Sequence, residues 1–176
     1  MLKHWKKLSS KIIFKNPWWT YKQDEFEIPG GITGEYHSVY TEGSSMVIPI
    51  LDNGMIILVN QYRYLCDKES IEFPCGGVKP GKSYEEMARC ELEEETGYVS
   101  NDLSYAAEFN PFNGVTNEMC KVFIAWNLSK TKSVPDETEE FEILYKSKKE
   151  IDELIETNKI WDGMTIAAWG LVRSKL

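Results

Sequence analysis

The chain has 176 residues, 42% of them hydrophobic and 27% charged, and carries a net charge of -8 at neutral pH. A chain of this length fits one domain with a small extension and buries roughly 70% of its unfolded surface, so folding needs no disulfide or metal staple. The acidic balance argues against a general nucleic-acid binder, which needs a basic stripe, but it leaves phosphorylated substrates open, because a bound cation can supply the missing positive charge.

The first fifteen residues carry Lys3, Lys6, Lys7, Lys11 and Lys15 and lack the unbroken apolar run of a secretion signal. They read as a solvated lead-in to the first strand rather than as a membrane-surface segment, although Trp5 stands among the lysines. No stretch reaches the roughly 18 apolar residues that a membrane span requires, so no membrane partner is expected. Tyr36 to Tyr40, Ser45 to Ile50 and Met55 to Tyr62 read as strands. Leu51-Asp52-Asn53-Gly54 joins the second to the third. Asn-Gly between two apolar runs predicts a hairpin, because both central residues tolerate positive φ. Met55 to Val59 is apolar without alternation, as in a strand covered on both faces.

Ser83 to Thr96 reads as a helix. Pro80-Gly81 turns the chain before it, Ser83 and Glu86 form a capping box, and Gly97 stops it. Tyr84, Met87, Ala88 and Leu92 recur at helical spacing and give its buried stripe. Leu103 to Phe109, Lys121 to Trp126 and Phe141 to Lys146 read as further strands, and helices follow near Lys149 to Thr157 and Met164 to Lys175. Strands around a central helix, with helices at the end, give an α/β (α+β) layered fold rather than a repeating βαβ chain. Cys66, Cys75, Cys90 and Cys120 show no C-x-x-C spacing, and His4 and His37 stand in no zinc pattern. The cysteines read as reduced residues of a cytoplasmic protein.

The chemistry-bearing segment runs from Gly76 to Tyr98. On a helix, Glu91, Glu94 and Glu95 stand at i, i+3 and i+4 and share one face. Three converging carboxylates repel unless protonated, and a hard divalent cation such as Mg²⁺ removes the conflict. Glu93 lies on another face, where it can pair with Arg89. An acidic helix run alone is most simply a solvated face; here a glycine turn, a capped start and a glycine stop flank the glutamates at fixed offsets.

That pattern resembles the Nudix box, G-x5-E-x7-R-E-U-x-E-E-x-G-U with U bulky and apolar. Gly76, Glu91, Leu92, Glu94, Glu95, Gly97 and Tyr98 match it in register. The resemblance implies a Nudix hydrolase, with a mixed β-sheet sandwiched between helices. It further implies metal ligands at Glu91, Glu94 and Glu95, a further ligand in the backbone carbonyl of Cys75, and Mg²⁺ as the cofactor, with Mn²⁺ the alternative. Two positions depart: Lys82 stands for the box Glu and Cys90 for the box Arg. The family pairs these two, so losing both reads as a joint replacement, cheaper than stranding one buried charge at about 3–5 kcal/mol.

Gln61-Tyr62-Arg63, then Glu72-Phe73-Pro74-Cys75-Gly76-Gly77, resembles the ADP-ribose pyrophosphatase branch. The resemblance implies that Arg63 grips the substrate diphosphate, where a guanidinium can donate twice, with Glu72 near metal or substrate. Asn110 to Glu118 resembles the branch's P-x-x-G-x-x-x-E loop, implying a substrate-binding carboxylate at Glu118. Asp136 to Glu142 resembles its acidic loop, whose glutamate takes a proton from water; Glu137 and Glu139 are the candidates, with Glu94 also in the catalytic set. Asn16-Pro17-Trp18-Trp19 resembles the branch's first strand, and Trp18, Trp19 or Phe26 could stack on a base.

The implied activity is Mg²⁺-dependent hydrolysis of a nucleoside diphosphate sugar, ADP-ribose to AMP and ribose 5-phosphate. Residues 1–44 would be a dimer-forming extension with antiparallel strands and 45–176 the hydrolase domain of a homodimer. Alternative readings are GDP-mannose or another sugar nucleotide, a dinucleoside polyphosphate, or a nucleotide-binding sensor that kept the fold and lost the chemistry.

Overall fold

A computed structural model describes residues 2–131 and 140–176. The chain divides into two compact units, the first holding the residues up to Gly43 together with Phe112–Glu118, the second Ser44–Pro111 and Met119–Leu176.

The first unit is a three-stranded antiparallel sheet of β1 (Lys6–Lys15), β2 (Thr20–Ile28) and β3 (Ile32–Tyr40), in that order. The lysine-rich lead-in is therefore itself a strand: every residue of β1 is exposed, and ten residues without a buried face carry little strand signal. Asn16 to Trp19, read from sequence as the first strand, is instead the turn from β1 to β2. The Asn16 side-chain oxygen accepts the amides of Trp18 and Trp19 at 2.9 and 2.8 Å, a local bond that competes with strand pairing. Gly30 and Gly31 turn β2 into β3 at φ 120° and 85°. The segment Phe112–Glu118 fastens to β3: the Val39 amide donates to the Val115 carbonyl at 2.8 Å and the Tyr36 hydroxyl to the Gly114 carbonyl at 2.7 Å.

The second unit is a three-layer sandwich. One sheet runs β7 (Cys75–Gly77), β4 (Ser44–Pro49), β10 (Cys120–Trp126), β9 (Asp102–Phe109). Its β4–β10 pair is parallel and the rest antiparallel. A second sheet runs β12 (Glu142–Lys146), β5 (Ile56–Arg63), β6 (Lys68–Glu72), and a short pair joins β8 (Tyr98–Val99) to β11 (Ser129–Lys130). Alternate side chains of β4, β5 and β10 enter two different cores. Met46, Ile48, Ile56, Leu58, Val122 and Ile124 pack with residues of α2 (Lys148–Glu156) and α3 (Gly163–Val172), such as Ile151 and Trp169. Val47, Ile57, Phe123 and Ala125 pack with Ala88 and Leu92 of α1 (Tyr84–Thr96). Two-sided burial explains the unbroken apolar run: Ile56 to Val59 are all 0% exposed. The expected sheet between helices is thereby found.

The Asn53-Gly54 turn forms, with Gly54 at φ 80° and the Gly54 amide on the Leu51 carbonyl at 2.8 Å. It differs from the expected hairpin in two respects. Asn53 keeps a negative φ and caps the Met55 amide through its side chain at 3.0 Å. Beyond a single Ile50–Ile56 bridge the flanking strands part into different sheets.

Candidate active site

Lys79-Pro80-Gly81-Lys82 is a tight turn: the Lys82 amide donates to the Lys79 carbonyl at 3.0 Å and Gly81 takes φ 81°. Proline before a glycine with positive φ is what a type II turn requires. Ser83 then caps α1. Its hydroxyl accepts the Glu86 amide at 3.2 Å, and the Glu86 carboxylate accepts the Ser83 amide at 2.7 Å. That second bond holds the Glu86 carboxyl below its ordinary range. Gly97 closes the helix in the left-handed region at φ 69°. Capped at both ends, α1 places its glutamates at fixed heights.

Glu91 and Glu95 lie on the buried side of α1, 9% and 7% exposed, while Glu94 is exposed. The Glu91 carboxylate rests against the backbone of β7: a Cβ built on Gly76 would stand 2.1 Å from Glu91 Oε1. Only glycine fits there, which gives the first box glycine a physical reason. Next to it, Cys75 is half-buried. A hydrogen bond to the Cys120 thiol, burial, and the charges of Glu95 and Glu91 push its thiol well above the usual range.

Arg63, the last residue of β5, and Glu72, the last residue of β6, form a bidentate pair. Arg63 Nε donates to Glu72 Oε1 at 2.8 Å, and Nη2 donates to Oε2. Glu72 is almost wholly buried, whereas the Arg63 side chain is 44% exposed. The hydrogen bond to Glu72 holds the guanidinium firmly charged, against the opposing effect of burial, with further support from the negative charges of Glu72, Asp162 and Glu95. The charge of Glu95 acts on both Arg63 and Cys75, and Glu91 sits on Gly76.

Glu118 belongs to the first unit, where its amide donates to the Thr116 hydroxyl at 3.1 Å. Glu137 and Glu139 lie outside the described residues. Of the aromatic candidates, Trp18 is 78% exposed, Trp19 packs on Phe14 and Phe26 stacks on Trp5 at 4.4 Å. Arg89 pairs with Glu85, at 2.8 Å, and not with Glu93; its other Nη group reaches the Ser100 carbonyl. Neither departure from the box buries a lysine or arginine, for Lys82 is exposed and a half-buried cysteine stands at position 90.

Sequence reading missed Asp162. It caps α3, its carboxylate accepting the Thr165 amide at 2.7 Å, and its charge reaches Arg63. The available signal was an Asx-type cap with its acceptor three residues before Thr165.

Among the described residues, no three His, Cys, Asp or Glu side chains stand close enough together to hold an ion as placed. The donor set still suits a hard cation: two buried carboxylates one helical turn apart, a third on the same face, and a glycine cradle that gives Glu91 its seat. No helix among the described residues is long and apolar enough to cross a membrane, and no disulfide joins the four cysteines.

A pinned glycine–glutamate contact, a capped helix bearing co-facial carboxylates and a sheet between helices define a Nudix domain, and the NUDIX domain family matches residues 41–163. The chain belongs to the Nudix family and is a pyrophosphohydrolase of that family. It is 31% identical over 147 residues, 82% of this chain and 80% of the other, to an ADP-ribose pyrophosphatase of Bacillus subtilis. It is 29% identical to a methanol dehydrogenase activator of Bacillus methanolicus, over 93% of this chain and 89% of that one. A crystal structure of an ADP compounds hydrolase, 23% identical, superimposes with a TM-score of 0.88 over 100% of this chain and 96% of its own, a likeness of fold.

Proposed function

We propose that the chain hydrolyses the diphosphate bond of a nucleoside diphosphate sugar with Mg²⁺, and that ADP-ribose, cleaved to AMP and ribose 5-phosphate, is its substrate. The observation that carries this reading is the half-exposed Arg63 guanidinium, locked by Glu72 and acted on by the charge of the buried Glu95. A cationic fork next to anionic oxygens suits a diphosphate bridged by a cation. The resemblance to an ADP-ribose pyrophosphatase supports the choice of substrate.

In this reading Glu91, Glu94, Glu95 and the Cys75 carbonyl hold the metal. When bound, a divalent cation supplies Lewis-acid neutralisation of the charge that builds on the diphosphate. Arg63 spends Nε and one Nη2 proton on Glu72 and offers its remaining N–H groups to non-bridging phosphate oxygens. Glu72 orients Arg63, Glu118 contacts substrate, and Glu137 or Glu139 takes the proton of the attacking water, a contribution of typically ~10²–10⁴-fold. The same reading has the chain act in the cytoplasm as a homodimer through its N-terminal strands; exposed Leu8, Ile12, Ile13 and Phe14 on β1 support this, and sedimentation equilibrium tests it.

The deciding experiment is product release from ADP-ribose, GDP-mannose, other sugar nucleotides, diadenosine polyphosphates and nucleoside triphosphates, with Mg²⁺ and with EDTA. Selective, EDTA-sensitive formation of AMP from ADP-ribose is expected. No turnover on the whole panel, with ADP-ribose still raising Tm, would replace the enzyme of this substrate class by a nucleotide sensor.

A further inference from the structure

β6 is the outer strand of its sheet, and it ends on Glu72. An edge strand leaves one row of backbone groups unpaired and its position loosely set. Here the segment Trp161–Trp169 closes that edge at four points. The Trp161 indole N–H donates to the Glu69 carbonyl at 3.0 Å. Lys68 places its ammonium 3.7 Å from the centre of the Trp161 ring. The Thr165 hydroxyl accepts the amide of Phe73, the residue after Glu72, at 3.2 Å, and both residues are 0% exposed. The Phe73 ring packs against Trp169 with centroids 6.1 Å apart. Asp162 ties the segment to itself by accepting the Thr165 amide.

A polar bond as deeply buried as Thr165 to Phe73 is costly to leave half made, so its location carries information. It sits one residue from the carboxylate that fixes the Arg63 fork. We infer that Trp161, Asp162 and Thr165 are positioning residues for the Arg63–Glu72 pair: the start of α3 clamps the end of β6, which sets Glu72 and through it the angle at which Arg63 meets a phosphate. The inference deepens the proposed function, since it rests on Arg63 being the phosphate-binding group.

Three variants test it in the full chain. Thr165→Val keeps the shape and deletes the acceptor, Trp161→Phe deletes the indole donor, and Asp162→Asn keeps a good helix cap while removing the charge. Thr165→Ser restores the acceptor and serves as the rescue. The chain has only three arginines, Arg63, Arg89 and Arg173, so their Nε–H signals separate readily in a ¹⁵N-labelled sample. Arg63→Lys identifies the Arg63 signal, and the Arg173 fork on Asp152 is an internal reference.

In Thr165→Val and Trp161→Phe the Arg63 Nε–H signal should broaden or shift while that of Arg173 stays. KM for ADP-ribose should rise tenfold or more with kcat within about twofold, since misplacing a binding group by about 1 Å can cost ~10²-fold. Thr165→Ser should restore both readouts, and Asp162→Asn should raise KM by a smaller factor. An unchanged Arg63 signal in a folded Thr165→Val protein overturns the positioning inference, whatever the kinetics. A lost signal with unchanged KM upholds the clamp and overturns the reading of Arg63 as the phosphate grip.

Discussion

Two arginine forks in the second unit have the same local chemistry and different surroundings. At the ends of β5 and β6, Arg63 grips Glu72 through Nε and Nη2. Between α2 and α3, Arg173 grips Asp152 through the same two nitrogens, at 2.6 and 2.5 Å. In the second pair both partners meet solvent, and the Trp169 indole also donates to Asp152; the pair staples two helices. In the first, the carboxylate is buried, the guanidinium is open on one side, and Glu95 and Asp162 add their charge. The bond geometry and the presence of further negative charge are common to both, since Glu156 acts on Arg173 as Glu95 and Asp162 act on Arg63; what differs is that the Glu72 carboxylate is buried and the Asp152 carboxylate is not.

The largest effect expected from sharpening this contrast comes from Glu94→Gln. Glu94 is exposed, so the fold should survive its replacement while hydrolysis falls by orders of magnitude; an unchanged rate would remove Glu94 from the metal-binding set. Gly76→Ala comes next. Its Cβ would strike the Glu91 carboxylate, and activity should drop ~10–100-fold, as when a metal ligand loses its proper seat, with circular dichroism unaltered. Arg63→Ala against Arg173→Ala tests the forks directly. The first should raise KM ~10–100-fold, the worth of one or two charge-assisted hydrogen bonds, and also lower Tm, because it strands the buried Glu72 carboxylate; the second should lower Tm less and leave KM alone.

The Arg173 pair also has a pH signature. Arg173 holds the Asp152 carboxyl below its usual range, aided by the Trp169 indole. A carboxyl depressed in the folded state stabilises above its unfolded pKa and loses that stabilisation as pH falls through the folded value. The Tm gap between wild type and Arg173→Ala should hold at neutral pH and close below about pH 4. The smallest effect is Ser83→Ala, which removes one cap from α1 at about 1 kcal/mol. Urea denaturation measures it, and the Arg63 fork should not notice.

What could be read from the sequence was what is decided locally. The capping box of Ser83 and Glu86, the stop at Gly97 and the shared face of Glu91, Glu94 and Glu95 depend on neighbours a few residues apart. So does the doubly buried run of Ile56 to Val59, whose lack of alternation is itself the signal. β1 was missed because none of its side chains is buried, and β7, β8 and β11, of two or three residues each, exist only through pairing with distant strands. Glu85 and Glu93 both stand four residues from Arg89, so spacing alone did not choose between them, and the structure pairs Arg89 with Glu85. The Arg63–Glu72 lock and the reach of Asp162 join segments that only the tertiary fold brings together, so a motif could nominate Arg63 but could not say what holds it.

Alternation of β4, β5 and β10 between two cores has a consequence for how this chain can evolve. Ile57 and Leu58 are bonded neighbours, yet one shares its space with Leu92 and Phe123 and the other with Ile151 and Trp169. A gain of volume at Ile57 must be absorbed by α1, and one at Leu58 by α2 and α3. Adjacent codons therefore drift independently while codons far apart are bound to change together, and homologous chains should show covariation that skips every second residue of these strands.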